Sequence, residues 1–175
     1  MKSNWRKRPA GMRHDLSKWV RSGGSLTERI MERCGNFSVR HVSNRFSRAD
    51  RDEAGKIGAA RHESVLVREV YLCCGEIPVV FAHSVAARKS LKGPWRKLRF
   101  LGQRSLGSAF LSDPAVGRGQ LEYLAVSRTH PLYGKSCRFM KSKPGKLWAR
   151  RSLFFRGKNA ILVTEVFLPE IAERS

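Results

Sequence analysis

Two charged side chains interrupt segments that otherwise have the pattern of apolar β-strands. One is Arg68 in LVREVYL, and the other is Glu165 in AILVTEVFLP. Because alternate residues of a strand point to opposite faces, each charge shares its face with aliphatic or aromatic neighbours. These neighbours are Leu66, Val70 and Leu72 around Arg68, and Ile161, Val163 and Phe167 around Glu165. Burying an unpaired charge is costly, so each side chain needs a partner or a ligand.

The pattern permits a structural interpretation and a chemical one. In the structural interpretation, Arg68 and Glu165 form a buried ion pair, or the alternation is misassigned because Glu69 follows Arg68 directly. In the chemical interpretation, both charges line a closed pocket for a small carboxylic acid. An arginine binds a carboxylate through two parallel hydrogen bonds. A buried glutamate can hydrogen-bond a hydroxyl group or exchange a proton with it.

Other catalytic and metal-binding motifs are missing from the 175 residues. The GKS at residues 134–136 lacks the leading glycine of a phosphate-binding loop, and no GxSxG serine motif occurs. The five histidines are scattered without HxH or HExxH spacing, so we expect no metal and no cofactor. The four cysteines form no CxxC pair, and we expect all of them to be reduced packing thiols.

The chain is strongly basic, with 35 Lys and Arg against 14 Asp and Glu and a formal net charge of +21. From Tyr123 to Thr164 there are ten basic residues and no acidic one. Such a surface attracts anions of many kinds, and it is either a solvated basic face or a means of steering an anionic substrate. We expect at most a weak attraction to anionic surfaces, since no motif indicates specific nucleic-acid binding.

No apolar run is long enough to span a bilayer, and the basic N-terminus lacks the apolar core of a secretory signal. These features predict a cytoplasmic protein without a membrane span. The length and composition favour a single domain over residues 1–175, with a basic and loosely ordered tail over residues 1–14.

The elements that must position Arg68 and Glu165 form an α+β pattern. Helices are predicted over 15–24, over 94–102, over 105–112, and after the N-cap Ser25, where Glu28 completes a capping box. Residues 49–63 and 130–146 are predicted to be loops.

Six strands are predicted: one over 36–46, two around the turn Gly75-Glu76, one over 120–129, and two around the turn at 157–159. They indicate a single six-stranded antiparallel sheet with helices on one side.

Four segments, in their order along the chain, resemble the chorismate pyruvate-lyase family. They are SLTERI, VREVYLCCGEIPVVFAHSV, LGQRSLGSAFL and LWARRSLFFRGKNAILVTEVFLP, and the resemblance covers Leu16 to Pro169. It implies a cofactor-independent lyase that converts chorismate to 4-hydroxybenzoate and pyruvate, the first committed step of ubiquinone biosynthesis. It also implies a monomer whose ligand lies in an internal pocket beneath helical flaps.

The resemblance implies roles for five residues. Arg68 matches an arginine that binds the ring carboxylate, and Leu106 matches a residue whose backbone amide also holds that carboxylate. Glu165 matches a glutamate that faces the ring hydroxyl, where it either orients the hydroxyl or donates a proton to the departing enolpyruvate. Leu26 matches a flap position that is often methionine in the family. His83 matches a position where some members carry arginine, and it is either a pocket group or a packed, hydrogen-bonded residue.

Two other functions stay open alongside the lyase. The same fold also occurs as a non-catalytic domain of bacterial regulators that senses small carboxylates. A basic nucleic-acid-binding protein is the other alternative, although it would leave Arg68 and Glu165 unexplained.

Overall fold

The structure of the chain, a computed structural model, describes residues 4–174. Its centre is one antiparallel sheet of seven strands in the order β1-β2-β3-β7-β6-β4, with β5 also paired to β6. The strands are β1 Phe37–Arg48, β2 Ser64–Cys74, β3 Ile77–Ala86, β4 Gly117–Arg118, β5 Glu122–Ser127, β6 Lys146–Arg156 and β7 Asn159–Phe167. Six of these are the predicted strands, and β4 is an additional strand of two residues. The predicted α+β class with one antiparallel sheet is confirmed.

Five short α-helices accompany the sheet: α1 His14–Val20, α2 Leu26–Arg33, α3 Arg51–Ala54, α4 Arg88–Leu91 and α5 Pro131–Ser136. Two 3₁₀ turns lie at Arg96–Phe100 and Pro169–Arg174, and one π-helical turn lies at Gly107–Leu111. The first of the 3₁₀ turns and the π-helical turn occupy the two segments that were predicted as short helices.

Helices α3 and α5 lie in segments that were predicted to be loops. In α3, the Asp50 side chain and the Glu53 side chain cap each other's backbone N–H groups. In α5, His130 Nδ1 accepts a hydrogen bond from the Leu132 N–H, and Pro131 occupies the first turn. Capping in these short polar segments outweighs their weak helical periodicity.

The strands of the two long hairpins position the charges. Both hairpins turn at a glycine with a positive φ, 58° at Gly75 and 59° at Gly157, as the left-handed conformation requires. In the sheet, Arg68 of β2 pairs with Ser84 of β3, while Ala82 of β3 pairs with Glu165 of β7. One strand therefore separates the two charged residues.

Both faces of the sheet are covered, so the prediction of helices on one side only is wrong in this respect. On the Arg68 face, α1 and α2 bury Trp19, Val20, Leu26 and Ile30 against β2 and β3. On the opposite face, residues after α3 and within α5 bury Ile57, Leu132 and Tyr133. This explains why β2 is buried along almost its whole length.

A disulfide joins Cys34, which follows α2, to Cys74 at the end of β2, with the two Cα atoms 5.4 Å apart. The expectation of four reduced cysteines is therefore wrong for this pair. Alternation places Cys74 on the same face of β2 as Arg68, beneath α2, and this is where Cys34 lies. Cys73 and Cys137 are free and buried on the other face.

The predicted basic tail over 1–14 lies partly outside the described residues. Of its described part, Arg6 exchanges two backbone hydrogen bonds with Tyr123, and His14 begins α1. No helix among residues 4–174 is long and apolar enough to cross a membrane.

Candidate active site

A small cavity lies between the sheet and two helical segments, and four of the five predicted site residues line it. The helix α2 contributes Leu26, the π-helical turn is preceded by Leu106, and the sheet contributes Arg68 and Glu165. The full lining is Ser25, Leu26, Thr27, Arg68, Val70, Leu72, Ala82, Ser84, Leu106, Gly107, Val163 and Glu165. Strand alternation brings Val70, Leu72 and Val163 to this face, as the sequence pattern indicated.

The space inside the cavity is limited. About 30 Å³ is available to the centre of a water-sized sphere, which is room for about one water molecule. The two covering segments touch each other closely: a Cβ atom on Gly107 would lie 2.8 Å from Thr27 Oγ1. A ligand the size of a substituted benzene ring therefore enters only if α2 and the π-helical turn move apart.

Arg68 is held by the backbone and has no carboxylate partner among residues 4–174. Its Nη2 donates hydrogen bonds to the carbonyl oxygens of Gly102 at 3.0 Å and Arg104 at 2.7 Å. Its Nε is buried and has no hydrogen-bond partner within residues 4–174. Burial lowers the pKa of Arg68 to about 10, which still leaves the guanidinium charged at neutral pH. An anionic ligand would supply the missing counter-charge.

Glu165 forms an ion pair with Arg150 of β6, not with Arg68. The distance from Arg150 Nε to Glu165 Oε2 is 2.5 Å, and the Arg150 side chain is fully buried. The proposed structural pair of Arg68 with Glu165 is therefore not formed among the described residues. The Glu165 side chain is 16% exposed and lies at the cavity wall.

Arg150 also connects Glu165 to the chain that leads into α2. Its Nη1 donates to the Ser22 carbonyl oxygen at 2.6 Å and lies within 3.5 Å of the Trp19 and Val20 carbonyl oxygens at the end of α1. A cation at the carbonyl end of a helix is favourable because it meets the negative end of the helix dipole. The position of the carboxylate and that of the covering helix are thus linked through one guanidinium.

Arg118 of β4 also binds the chain that leads into α2. Its Nε donates to Ser152 Oγ at 3.0 Å and its Nη1 donates to the Gly24 carbonyl oxygen at 2.9 Å. Burial lowers the pKa of Arg118, while the charge of Glu165 acts in the opposite direction. Two arginines therefore hold residues 22–24, immediately before α2.

Sequence reasoning missed Arg150, although the signal was present. The turn at 157–159 was identified, and Arg156 and Asn159 pair across it. Six residues further along each strand, Arg150 of β6 pairs with Glu165 of β7. Directly opposed residues on paired strands interact, so this register alone predicts the ion pair. Arg118 had no such signal, since β4 is only two residues long.

His83 does not line the cavity. Alternation along β3 places it on the opposite face, where Nδ1 is 3.0 Å from Glu69 Oε1 and Nε2 is 3.2 Å from Glu53 Oε1. Burial disfavours the charged ring, but its close contacts with the Glu53 and Glu69 carboxylates outweigh burial and raise the pKa of His83 to about 9. Of the two alternatives for His83, the structure shows the packed, hydrogen-bonded arrangement.

The same cluster also contains Lys135, whose Nζ is 2.7 Å from Glu69 Oε1. Burial acts to raise the pKa of Glu69, but hydrogen bonds from His83 and Lys135 outweigh it and lower this pKa to about 2.

No group of three or more potential ligands that could hold a metal ion is found in the described part of the chain.

Comparison with known proteins identifies the family. The chorismate lyase family model matches residues 4–175. A probable chorismate pyruvate-lyase of Nitrosospira multiformis is 46% identical over 172 residues, which cover 98% of this chain and 96% of that protein. Another from Nitrosomonas europaea is 42% identical over 167 residues, which cover 95% of this chain and 94% of that protein.

Solved structures that resemble the chain are more distant in sequence. The effector domain of PhnF from Mycobacterium smegmatis has a TM-score of 0.60 at 14% identity, and the match covers 86% of this chain and 93% of that domain. The C-terminal domain of the histidine utilization repressor from Pseudomonas syringae has a TM-score of 0.53 at 11% identity, with coverages of 77% and 93%. These likenesses concern the fold alone. The family match and the relatives show that this chain belongs to the chorismate lyase family of enzymes.

Proposed function

We propose that the protein eliminates pyruvate from chorismate to give 4-hydroxybenzoate. The observation that supports this most is that Arg68 and Glu165 line one cavity without pairing with each other. Their Cα atoms lie two strand spacings apart and are offset by two residues along the strands, which gives a separation of roughly 12 Å. Such a separation suits one six-membered ring with a carboxylate at one end and a hydroxyl at the other.

In the proposed complex, Arg68 binds the ring carboxylate of chorismate through its unsatisfied N–H groups. The backbone amide of Leu106 also donates to that carboxylate, and Leu26 contacts the substrate from α2. Glu165 accepts a hydrogen bond from the ring hydroxyl. Arg150 is a positioning residue, because it holds Glu165 Oε2 at 2.5 Å and does not line the cavity.

The chemistry needs few groups. The bond between the ring carbon and the ether oxygen breaks, and its electrons leave with the enolpyruvate. The hydroxyl-bearing ring carbon loses its hydrogen as a proton, the ring becomes aromatic, and the enolpyruvate gains a proton to become pyruvate. Because aromatisation drives the step, orientation of the side chain over the ring accounts for much of the acceleration.

The ion pair with Arg150 favours one of the two roles open to Glu165. A carboxylate held against a buried guanidinium is suited to accepting a hydrogen bond from the hydroxyl. We therefore assign Glu165 the task of orienting the hydroxyl, with the proton transfer left to the substrate itself or to water.

The cavity also suggests slow product release. Its closed state surrounds the ligand with apolar walls and matched polar ends, and α2 must move before the product leaves. We also propose that the protein is a monomer of the cytoplasm. The 4-hydroxybenzoate that it makes would then be used for ubiquinone biosynthesis.

A coupled assay for pyruvate release from chorismate tests the proposal directly. We expect stoichiometric pyruvate and 4-hydroxybenzoate from the wild type and a much lower rate from Arg68→Ala. The fold also occurs in the effector domain of PhnF, so a non-catalytic carboxylate-binding domain is the second candidate. Calorimetric binding of 4-hydroxybenzoate without any pyruvate release would favour that candidate and overturn the lyase.

The pathway assignment needs a separate test. A bacterial strain without its own chorismate lyase makes ubiquinone only when 4-hydroxybenzoate is added. The gene for this chain should restore ubiquinone without that addition. Active enzyme in the cell extract together with no ubiquinone would contradict the pathway and leave the chemistry intact.

A further inference from the structure

One segment, which packs on the sheet beside the ligand cavity, carries a dense positive charge on its outer side. This basic cover segment, residues 88–104, contains α4 and the 3₁₀ turn Arg96–Phe100. Its inner side is apolar and packs on the sheet and on Phe110 through Leu91, Trp95, Leu98 and Leu101. The segment is therefore amphipathic, with one face fixed against the protein and the other facing solvent.

Every charge of the outer side is positive. The segment has no Asp or Glu, and all seven of its basic residues are exposed: Arg88, Lys89, Lys92, Arg96, Lys97, Arg99 and Arg104. Within residues 4–174, none of the seven lies within ion-pair distance of a carboxylate. Charges that the fold leaves uncompensated are available to an external anionic surface.

A large apolar side chain stands in the middle of these cations. Phe100 is 78% exposed, more than any other large hydrophobic residue that the structure describes. The Arg99 guanidinium lies 5.7 Å from its ring centre and 5.9 Å from that of Phe46 on β1, and the Arg88 guanidinium lies 4.2 Å from the Phe46 ring. An exposed aromatic ring costs free energy in water, and it gains from transfer to an apolar phase.

We propose that the basic cover segment docks on a membrane surface that contains anionic phospholipid. The seven cations would face the lipid phosphates while Phe100 enters the boundary between headgroups and acyl chains. This combination of an apolar side chain with surrounding Lys and Arg is typical of interfacial membrane attachment. Nucleic acid fits less well, because single-strand binding stacks successive bases on several exposed aromatic rings, and this segment exposes one, Phe100.

The location of this surface links it to the cavity residue Arg68. The segment ends in the loop whose Gly102 and Arg104 carbonyl oxygens hold Arg68. The docking surface is thus continuous with the loop that holds Arg68. The docking itself does not depend on the proposed function.

Co-sedimentation with lipid vesicles tests the docking. We expect the wild type to pellet with vesicles of phosphatidylcholine and phosphatidylglycerol at low salt, and to stay in solution with phosphatidylcholine alone. High salt should release most of the bound protein, because screening weakens surface electrostatics. Equal binding to both kinds of vesicle, or no binding to either, would overturn the proposal.

Variants locate the surface. Arg96→Gln combined with Lys97→Gln should weaken vesicle binding about 25-fold, since each charge near an anionic surface contributes about fivefold. Phe100→Ala should weaken it about fivefold or more through lost apolar burial. Rates with soluble chorismate should be unchanged, because none of these residues lines the cavity.

Matched controls lie in a second basic region that also exposes a phenylalanine. Phe139 is 52% exposed between Arg138 and Lys141. Phe139→Ala, and Lys141→Gln with Lys143→Gln, should change vesicle binding by less than about twofold. Equal losses from both regions would mean that net charge alone is responsible, which contradicts a defined docking surface. Tighter binding to duplex DNA than to the anionic vesicles, insensitive to Phe100→Ala, would contradict it in favour of nucleic acid.

Discussion

Arg68 and His83 lie on adjacent strands of one sheet, yet the two faces on which they lie compensate buried charge differently. On the His83 face, the ring lies between Glu53 and Glu69, and Lys135 adds a further cation. On the cavity face, Arg68 has only backbone carbonyl oxygens and an unsatisfied Nε. In the first arrangement each buried charge has an opposite charge within 3.2 Å, although His83 Nε2 makes no hydrogen bond within residues 4–174. In the second, Arg68 has no opposite charge among these residues and would gain one from an anion, and this missing counter-charge distinguishes a ligand site from a structural cluster.

The largest effect that separates the two faces is expected from His83→Ala. The change leaves two buried carboxylates without their shared partner, and we expect the free energy of unfolding to fall by about 3–5 kcal/mol. Affinity for 4-hydroxybenzoate should stay unchanged, because His83 does not line the cavity. Urea denaturation and calorimetry measure the two quantities.

His41→Ala is the matched control for this change. His41 is exposed on β1, two strands away from β3, so its loss should cost less than about 0.5 kcal/mol. A weaker affinity for 4-hydroxybenzoate in His83→Ala at unchanged stability would assign His83 to the ligand after all.

Arg68→Ala should give the opposite result. A ligand carboxylate would be left buried without its partner, so binding of 4-hydroxybenzoate should weaken by about 2–4 kcal/mol. The free energy of unfolding of the ligand-free protein should fall much less than in His83→Ala. Calorimetry provides the affinity, with Arg40→Ala on β1, whose side chain is 40% exposed, as the control. Unchanged affinity would remove Arg68 from the site.

Stability should also depend on pH through the His83 cluster. The pKa of His83 is raised from 6.5 to about 9, so the folded state binds a proton that the unfolded chain releases. Its contribution is fully present below about pH 6.5 and is lost as the pH rises through 9. We expect the stability difference between wild type and His83→Ala to shrink over that range. A difference that stays constant from pH 6 to pH 10 would show that the ring is neutral in the folded state.

The acidic limit of the same cluster comes from Glu69. Its pKa is lowered from 4.5 to about 2, so its contribution is present above pH 4.5 and is lost as the pH falls through 2. The cluster therefore contributes most between about pH 4.5 and 6.5.

The sequence predicts much of the sheet and of the site because local patterns carry that information. Alternation in two strands identifies Arg68 and Glu165, and turn glycines locate both hairpins. Short helices such as α3 and α5 escape because capping side chains, not periodicity, form them. The Cys34–Cys74 disulfide escapes because it depends on where α2 crosses the end of β2, which is a tertiary feature.

The partners of the predicted charges were harder to assign than the charges themselves. Glu165 was considered together with Arg68, but the sheet order places β3 between their strands and β6 on the other side of β7. Pairing within the β6–β7 hairpin then favours Arg150, which is nearer along the chain and directly opposite. The strand order decides which arginine pairs with Glu165. Alternation within single strands carries no information about the strand order.

The smallest expected effect concerns Glu165, and it tests whether the cavity face uses its charge for orientation or for proton transfer. Glu165→Gln keeps a hydrogen-bond partner for the ring hydroxyl, so an orienting role predicts a loss of about tenfold in rate, or roughly 1.4 kcal/mol. A proton donor cannot be replaced by an amide, and general acid catalysis predicts a loss nearer 10²–10⁴-fold. The ion pair with Arg150 favours the smaller loss, since it holds Oε2 in place as an acceptor. Single-turnover rates of Glu165→Gln and Glu165→Ala decide between the roles. If the glutamine variant is as slow as the alanine variant, Glu165 does not act by orienting the hydroxyl, and proton transfer is the role that remains.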